Sequence, residues 1–254
     1  MISINVYPLP LHAENDDLSD FVAVVIDVLR ATTVVVSAFA AGAQKVIPML
    51  DIEQARQQKE VLEKIHGKGS VLLGGERKGI PIAGFDFGNS PQHFTSEKVA
   101  GKILILTTTN GTVAMYAARN ARCLYAAGLV NAQAVVERLK NEKNIAIFCA
   151  GTDGEMTEED FLLAGCLVSR LSRCFPQNQN RQNQYCRNHH AETAKQLWEN
   201  LFFIDNNESI SELKLIEFLR QSRGGRNLVA LKLDADIMFA AKIDSIDSVP
   251  EIRL

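Results

Sequence analysis

The chain alternates between short apolar runs and amphipathic stretches, and that rhythm predicts its elements. FVAVVID (21–27) is an almost unbroken apolar run, the pattern of a strand buried on both faces of a sheet. Small and apolar residues over 30–41 then suit a close-packed helix. KVIPML (45–50) reads as a strand and DIEQARQQKEVLEKIHG (51–67) as a helix. In that helix Asp51 is the expected N-cap, Ile52, Ala55, Leu62 and Ile65 form the apolar stripe, and Gly67 closes it. SVLLGG is the next strand, followed by a loop rich in glycine and proline over 75–97. KILILT (102–107), CLYAA and NIAIFCAG (144–151) continue as strands. TVAMYAARNA, NAQAVVERLKNEK and EEDFLLAGCLVSRL (158–171) are the helices among them. Strands alternating with helices imply an α/β protein: three layers, α/β/α, around a mostly parallel sheet.

The Gln/Asn-rich stretch RCFPQNQNRQNQYCRNHH breaks the rhythm and offers no core-forming face. A flexible surface excursion is expected over 175–188, inside a single domain spanning 1–254. Helical patterns return over 190–203 and 208–222.

Composition narrows the function. Apolar residues make up 46% and charged residues 22%, ordinary values for a globular protein. A net charge of -3 argues against a large basic surface, and so against nucleic acid as a partner. The N-terminus carries no basic-then-apolar signal, and no apolar stretch is long enough to span a bilayer. A cytoplasmic protein without a membrane partner is expected. The five cysteines show no metal-ligand spacing and read as mostly buried free thiols. A thiol phosphatase centred on Cys149 would need an arginine six positions on, where Glu155 stands. No GxGxxG follows the early strand, which disfavours a nicotinamide enzyme.

The candidate chemistry sits at the strand ends. In open parallel sheets ligands bind beyond the carboxyl ends of the strands. One strand here ends at Asp27 and runs into Arg30, Thr32 and Thr33. Another ends in GGER, bringing Glu76 and Arg77. A third ends in TTTNGT, with Thr108, Thr109, Asn110, Gly111 and Thr112, and a fourth in CAGTDGEMTEED, with Glu159 and Asp160. Together they describe a site for an oxyanion and a metal. Arg30 can fork two donors onto a phosphate or sulfonate. Glycine-containing turns before helices expose N–H groups to an anion. Asp27, Glu76, Glu159 and Asp160 are hard oxygen ligands of the kind Mg²⁺ takes. Glu158 and Asp160 equally suit the acidic first turn of a helix, and Asn-Gly is equally a turn signal. In the 79–94 loop, Asp86, Asn89 and Ser90 are within chain reach of the site, whereas His93 beside Phe94 reads as packing.

VVIDVLRATTVVVSAFAAGAQKVIP, GGERKGIPIAGFDFGNSP, TTTNGT, CAGTDGEMTEED and SRGGRNL followed by DI and VP resemble the 2-phosphosulfolactate phosphatase family, in order along nearly the whole chain. The resemblance implies an Mg²⁺-dependent acid phosphatase that removes phosphate from 2-phospho-3-sulfolactate. In methanogens the sulfolactate product feeds coenzyme M synthesis. It implies Asp27, Arg30 and Glu76 as catalytic residues. Thr32, Thr33, Asn89, Ser90, Thr108, Thr109, Asn110, Gly111 and Thr112 would bind the substrate. Under that reading TTTNGT is an anion cradle. Other classes stay open: a metal-dependent phosphatase for another small anionic phosphomonoester, and a non-catalytic anion-binding protein. So do a homo-oligomer and the choice between attack by water and attack by Asp27.

Overall fold

A computed structural model describes residues 2–174, 185–204 and 207–254. In chain order its strands and helices are β1 (Ile2–Tyr7), β2 (Val22–Ile26), α1 (Ala31–Ala40), β3 (Lys45–Pro48), α2 (Ile52–His66), β4 (Val71–Arg77), β5 (Ile80–Pro81), α3 (Ser96–Val99), β6 (Ile103–Thr107), α4 (Gly111–Ala117), β7 (Cys123–Ala127), α5 (Ala132–Leu139), β8 (Asn144–Cys149) and α6 (Glu158–Cys174). Then come β9 (Tyr185–Arg187), α7 (His189–Phe202), β10 (Phe203–Ile204), β11 (Asn207–Glu208), α8 (Glu212–Gln221), α9 (Arg223–Ala230) and α10 (Asp234–Ala240).

The α/β alternation is as expected, but the strands divide between two main sheets. One has the order β7-β2-β8-β1-β9 and every pairing in it is parallel. The other is β3-β6-β4-β5, parallel except for the antiparallel β4–β5 hairpin. β2 lies between two partners, and its side chains alternate between two cores. Val22, Val24 and Ile26 face the core built with α5, α6 and α7, while Ala23 and Val25 face the core that holds α1 and α4. The second core continues to Val46, Leu72, Leu104 and Leu106 of the smaller sheet, whose far face packs on Ala55 of α2. Helices thus cover both faces of the five-stranded sheet, and the smaller sheet extends the stack.

Local signals explain most of the boundaries. Asp51 Oδ1 accepts the Gln54 N–H at 2.9 Å, the expected N-cap of α2, and Gly67 (φ 96°) ends that helix. The predicted stripe is less complete: Ala55 is buried, but Ile65 is 70% exposed, because α2 covers only a narrow sheet. The periodicity reading passed over β1, whose ISINVY mixes polar and apolar residues beneath α7. Residues 175–184 of the anticipated excursion lie outside the described residues. Tyr185–Arg187 instead extends the sheet beside β1, and Asn188 caps α7 by accepting the Ala191 N–H. The thiols are also less buried than expected: Cys149 and Cys166 are buried, Cys123 is half-buried, and Cys174 and Cys186 are exposed. Among the described residues no helix is long and apolar enough to cross a membrane.

Helices α6 and α7 meet at Gly165, where an added Cβ would lie 2.0 Å from the Ala194 carbonyl oxygen. Since that neighbour is backbone, Gly165→Ala must push the helices apart. The expected cost is about 1–3 kcal/mol of stability, read as a lower thermal midpoint with activity per folded molecule retained.

Candidate active site

The carboxyl ends of β2 and β8 in one sheet, and of β4 and β6 in the other, open onto one cleft of about 660 Å³. Its walls include Asp27, Arg30, Glu76, Lys78, Asn89, Thr109, Asn110, Asp153, Gly224 and Asn227. Six of the residues singled out from sequence at strand ends and in the 79–94 loop therefore share it: Asp27, Arg30, Glu76, Asn89, Thr109 and Asn110.

Asp27 follows a strand with no exposed residue and is itself only 9% exposed. Its Oδ1 accepts the Ala31 N–H at 3.0 Å, so the carboxylate stands at the start of α1. Its Oδ2 turns toward Gly111, where a Cβ would sit 2.6 Å from it and 2.4 Å from the Ala31 Cβ. Gly111 is thus required for close approach. Its φ lies outside the left-handed region that an Asn-Gly turn would demand.

Glu76 is held from three directions. Oε1 accepts the Thr109 N–H (2.8 Å), and Oε2 accepts the Gly79 N–H (2.6 Å) and the Thr109 hydroxyl (3.3 Å). Asp160 is held too: Oδ1 accepts the Val28 N–H (2.8 Å) and Oδ2 the Gly151 N–H (3.1 Å), tying the ends of β2 and β8 together. Glu159 Oε1 accepts the Gly224 N–H at 3.0 Å, while its Oε2 is buried without a partner, as is Asn89 Oδ1. Glu158 is no idle first-turn acid, because it accepts the Arg223 N–H at 2.9 Å and anchors the start of α9.

These contacts revise the roles expected from sequence. The Thr32 hydroxyl donates to the Ala127 carbonyl (2.6 Å) and the Thr33 hydroxyl to the Val28 carbonyl (2.8 Å). Thr112 Oγ1 donates to the Thr108 carbonyl, and Thr108 Oγ1 accepts the Thr112 N–H. All four are buried, so these hydroxyls satisfy backbone at the mouths of α1 and α4 and do not face a ligand. Of TTTNGT, Thr109 and Asn110 line the cleft. Ser90 donates to Asp236 (2.5 Å). Asp86 accepts the Leu73 N–H and pairs with Lys59, fastening the loop to β4 away from the cleft. Phe94 packs on Phe87 with ring centroids 4.8 Å apart, the packing expected of the residue beside His93.

Sequence reasoning missed the C-terminal wall. Gly224 lets α9 reach Glu159, since a Cβ there would lie 2.0 Å from Oε1, and a Cβ on Gly225 would lie 1.7 Å from the Leu219 carbonyl oxygen. Two adjacent glycines in a helical stretch are the available signal for such an approach. Asp236, 1% exposed on α10, binds Arg30 Nη1 at 2.6 Å. Lys78 and Asp153, both on the cleft wall, hold left-handed backbone (φ 51° and 52°) without being glycine.

Among the described residues no three His, Cys, Asp or Glu side chains form a metal-holding group. A four-carboxylate ligand set is therefore too large, because Glu76 and Asp160 already serve backbone N–H groups with each oxygen. What fits is a hard cation held by one or two carboxylates and water, the habit of Mg²⁺. The oxygens without a hydrogen-bond donor are Asp27 Oδ2 and Asn89 Oδ1, of residues on the cleft wall, and Glu159 Oε2, of a residue packed against Gly224 of that wall.

Burial dominates the protonation of these acids. It raises Asp27 to about 6, with nearby Glu76 adding to the rise and the Ala31 N–H opposing it. It raises Glu159 to about 7. Asp160 stands well above the usual carboxylate range, by burial and then by the charges of Asp27 and Glu159. A folded-state value above the unfolded one, about 4, gives stability that is full below that pH and lost as pH rises through the folded value. Metal-free protein should accordingly lose stability as pH rises through about 6 to 7. Glu159→Gln should flatten the upper part of that decline in urea midpoints measured from pH 4.5 to 8 (about the span of both transitions). An identical profile in wild type and variant would contradict the assignment.

The family model described as 2-phosphosulpholactate phosphatase matches residues 7–254. A probable 2-phosphosulfolactate phosphatase of Clostridium perfringens is 34% identical over 243 residues, covering 95% of this chain and 90% of that protein. One from Thermotoga maritima, named in the same way, is 38% identical over 230 residues, covering 91% and 88%. A third, from Clostridium botulinum, is 32% identical over 240 residues, covering 94% and 92%. The chain belongs to the 2-phosphosulfolactate phosphatase family and is, with it, a phosphoric monoester hydrolase.

Proposed function

We propose that the chain hydrolyses 2-phospho-3-sulfolactate to sulfolactate and phosphate with Mg²⁺ in the cleft between the two sheets. The observation that carries this reading is Asp27, a buried carboxylate on the cleft wall with Arg30, with one oxygen fixed by the Ala31 N–H and the other facing Gly111. The substrate is densely anionic, with a phosphate, a carboxylate and a sulfonate. The wall that receives it carries Asp27, Glu76 and Asp153 against Arg30 and Lys78, so a bound cation and the two basic side chains must offset its charge.

Asp27 and Glu159 would hold the cation, which when bound supplies positive charge at the phosphoryl oxygens. Arg30 orients the phosphoryl group through the guanidinium N–H groups not engaged by Asp236. The Asn110 side chain, half-buried and with no partner among the described residues, and the exposed Lys78 supply further donors for the carboxylate and sulfonate. A cleft carboxylate that does not hold the cation would take the proton of the attacking water as general base. Glu76 keeps the Thr109 and Gly79 N–H groups satisfied, which fixes the rim of the cleft where β4 and β6 end.

Purified protein should release phosphate from 2-phospho-3-sulfolactate in preference to other small phosphomonoesters, and chelation should stop it. Full turnover in chelator would refute the metal, and indifference among substrates would refute the sulfonate-bearing one. Asp27→Asn should lower kcat by at least ~10²-fold with the fold intact by circular dichroism. A phosphorylated Asp27 trapped during turnover would replace general-base catalysis with nucleophilic attack.

A further inference from the structure

We propose that Asp236 is the positioning residue for Arg30, and that the C-terminal segment therefore belongs to the active site. Arg30 precedes α1 and Asp236 lies on α10, 206 positions away. Both are buried, Arg30 5% and Asp236 1% exposed. Asp236 Oδ2 takes Arg30 Nη1 at 2.6 Å, and its Oδ1 takes the Ser90 hydroxyl at 2.5 Å. One carboxylate thus joins the end of β2, the loop after β5 and the C-terminal helix, and each of its oxygens has a partner.

The arrangement does more than neutralise a buried charge. Arg30 has two acids within electrostatic reach, Asp27 in the cleft and Asp236 behind it, yet its hydrogen bond goes to Asp236. Its second terminal nitrogen is steered to the Gly79 carbonyl, a long contact of 3.4 Å. A guanidinium fixed at one edge presents its remaining N–H donors in a known plane. Without Asp236 the same side chain would pair with Asp27, so one acid would occupy the arginine and the arginine would occupy the acid. Ser90 explains why Asp236 cannot turn away: its hydroxyl pins the oxygen that does not face Arg30. The pair lies on the cleft wall through Arg30 alone, since Asp236 is not among the residues lining it. Asp236 therefore acts through Arg30.

The proposal rests on the phosphatase reading for its catalytic consequence but not for its geometry, and a double-mutant cycle separates the two. Arg30→Gln, Asp236→Asn and the double variant are compared by kcat and KM on 2-phospho-3-sulfolactate and by affinity for sulfate, with thermal midpoints recorded for each. Asp236→Asn should weaken sulfate binding and kcat/KM by roughly tenfold or more, and the double variant should be no worse than Arg30→Gln alone. Ser90→Ala, which leaves the ion pair in place, should give a smaller loss in the same direction and covers the case in which Asp236→Asn fails to fold. Effects that multiply in the double variant would overturn the proposal. So would an Asp236→Asn protein that is destabilised yet binds sulfate normally, because that is what a purely structural ion pair would give. A wild-type protein without turnover on this substrate would defeat the phosphatase reading, and the sulfate cycle would still decide the role of Asp236.

Discussion

The double burial of β2 governs the rest of this molecule. The strand is paired on both edges, by β7 and β8, and covered on both faces by separate cores. A chain leaving such a strand cannot go straight to water. It must satisfy its backbone inside the protein, and the residues after Ile26 are organised to do so. The Thr32 hydroxyl accepts the Asp27 N–H, Asp160 accepts the Val28 N–H, and Asp27 itself accepts the Ala31 N–H. These contacts consume acids and hydroxyls in the interior and leave a carboxylate at the mouth of α1 with one oxygen to spare.

That constraint also explains why the site spans two sheets. Asp160 binds the ends of β2 and β8 together from one side. Glu76, at the end of β4, accepts from the Thr109 N–H beyond the end of β6, and holds the other sheet's edge in the same way. The cleft is the space between these two fastened edges, and α9 forms a further wall, with α10 behind Arg30. Buried acids are costly when charged, and here three of them share one neighbourhood. A cation would relieve that repulsion.

Much of the fold was legible because it rests on periodicity. The continuous apolar runs of β2, β6 and β8 and the capped pattern of α2 have one reading each. The placement of Asp27, Arg30 and Glu76 on one cleft was legible too, because parallel strands deliver their ends to a common edge. The partition into two sheets was not, since it depends on which strands pair, and local pattern is silent on pairing. Hydroxyl roles were misread for a physical reason: a threonine beside a helix start can bond its own backbone as well as a ligand, and Thr32, Thr33, Thr108 and Thr112 do the former. Asp236 and the glycine pair of α9 stood out only as parts of the DI and SRGGRNL motifs, and the role of Asp236 was not legible because its partner is 206 positions away.

The central claim is that Asp27 and Glu159 present oxygens for a divalent cation. Calorimetric titration of Mg²⁺ into metal-free wild type, Asp27→Asn and Glu159→Gln tests it without reference to any substrate. Binding of one ion by the wild type, weakened at least roughly tenfold in both variants, is the result the account predicts. Equal affinity in all three proteins would contradict it.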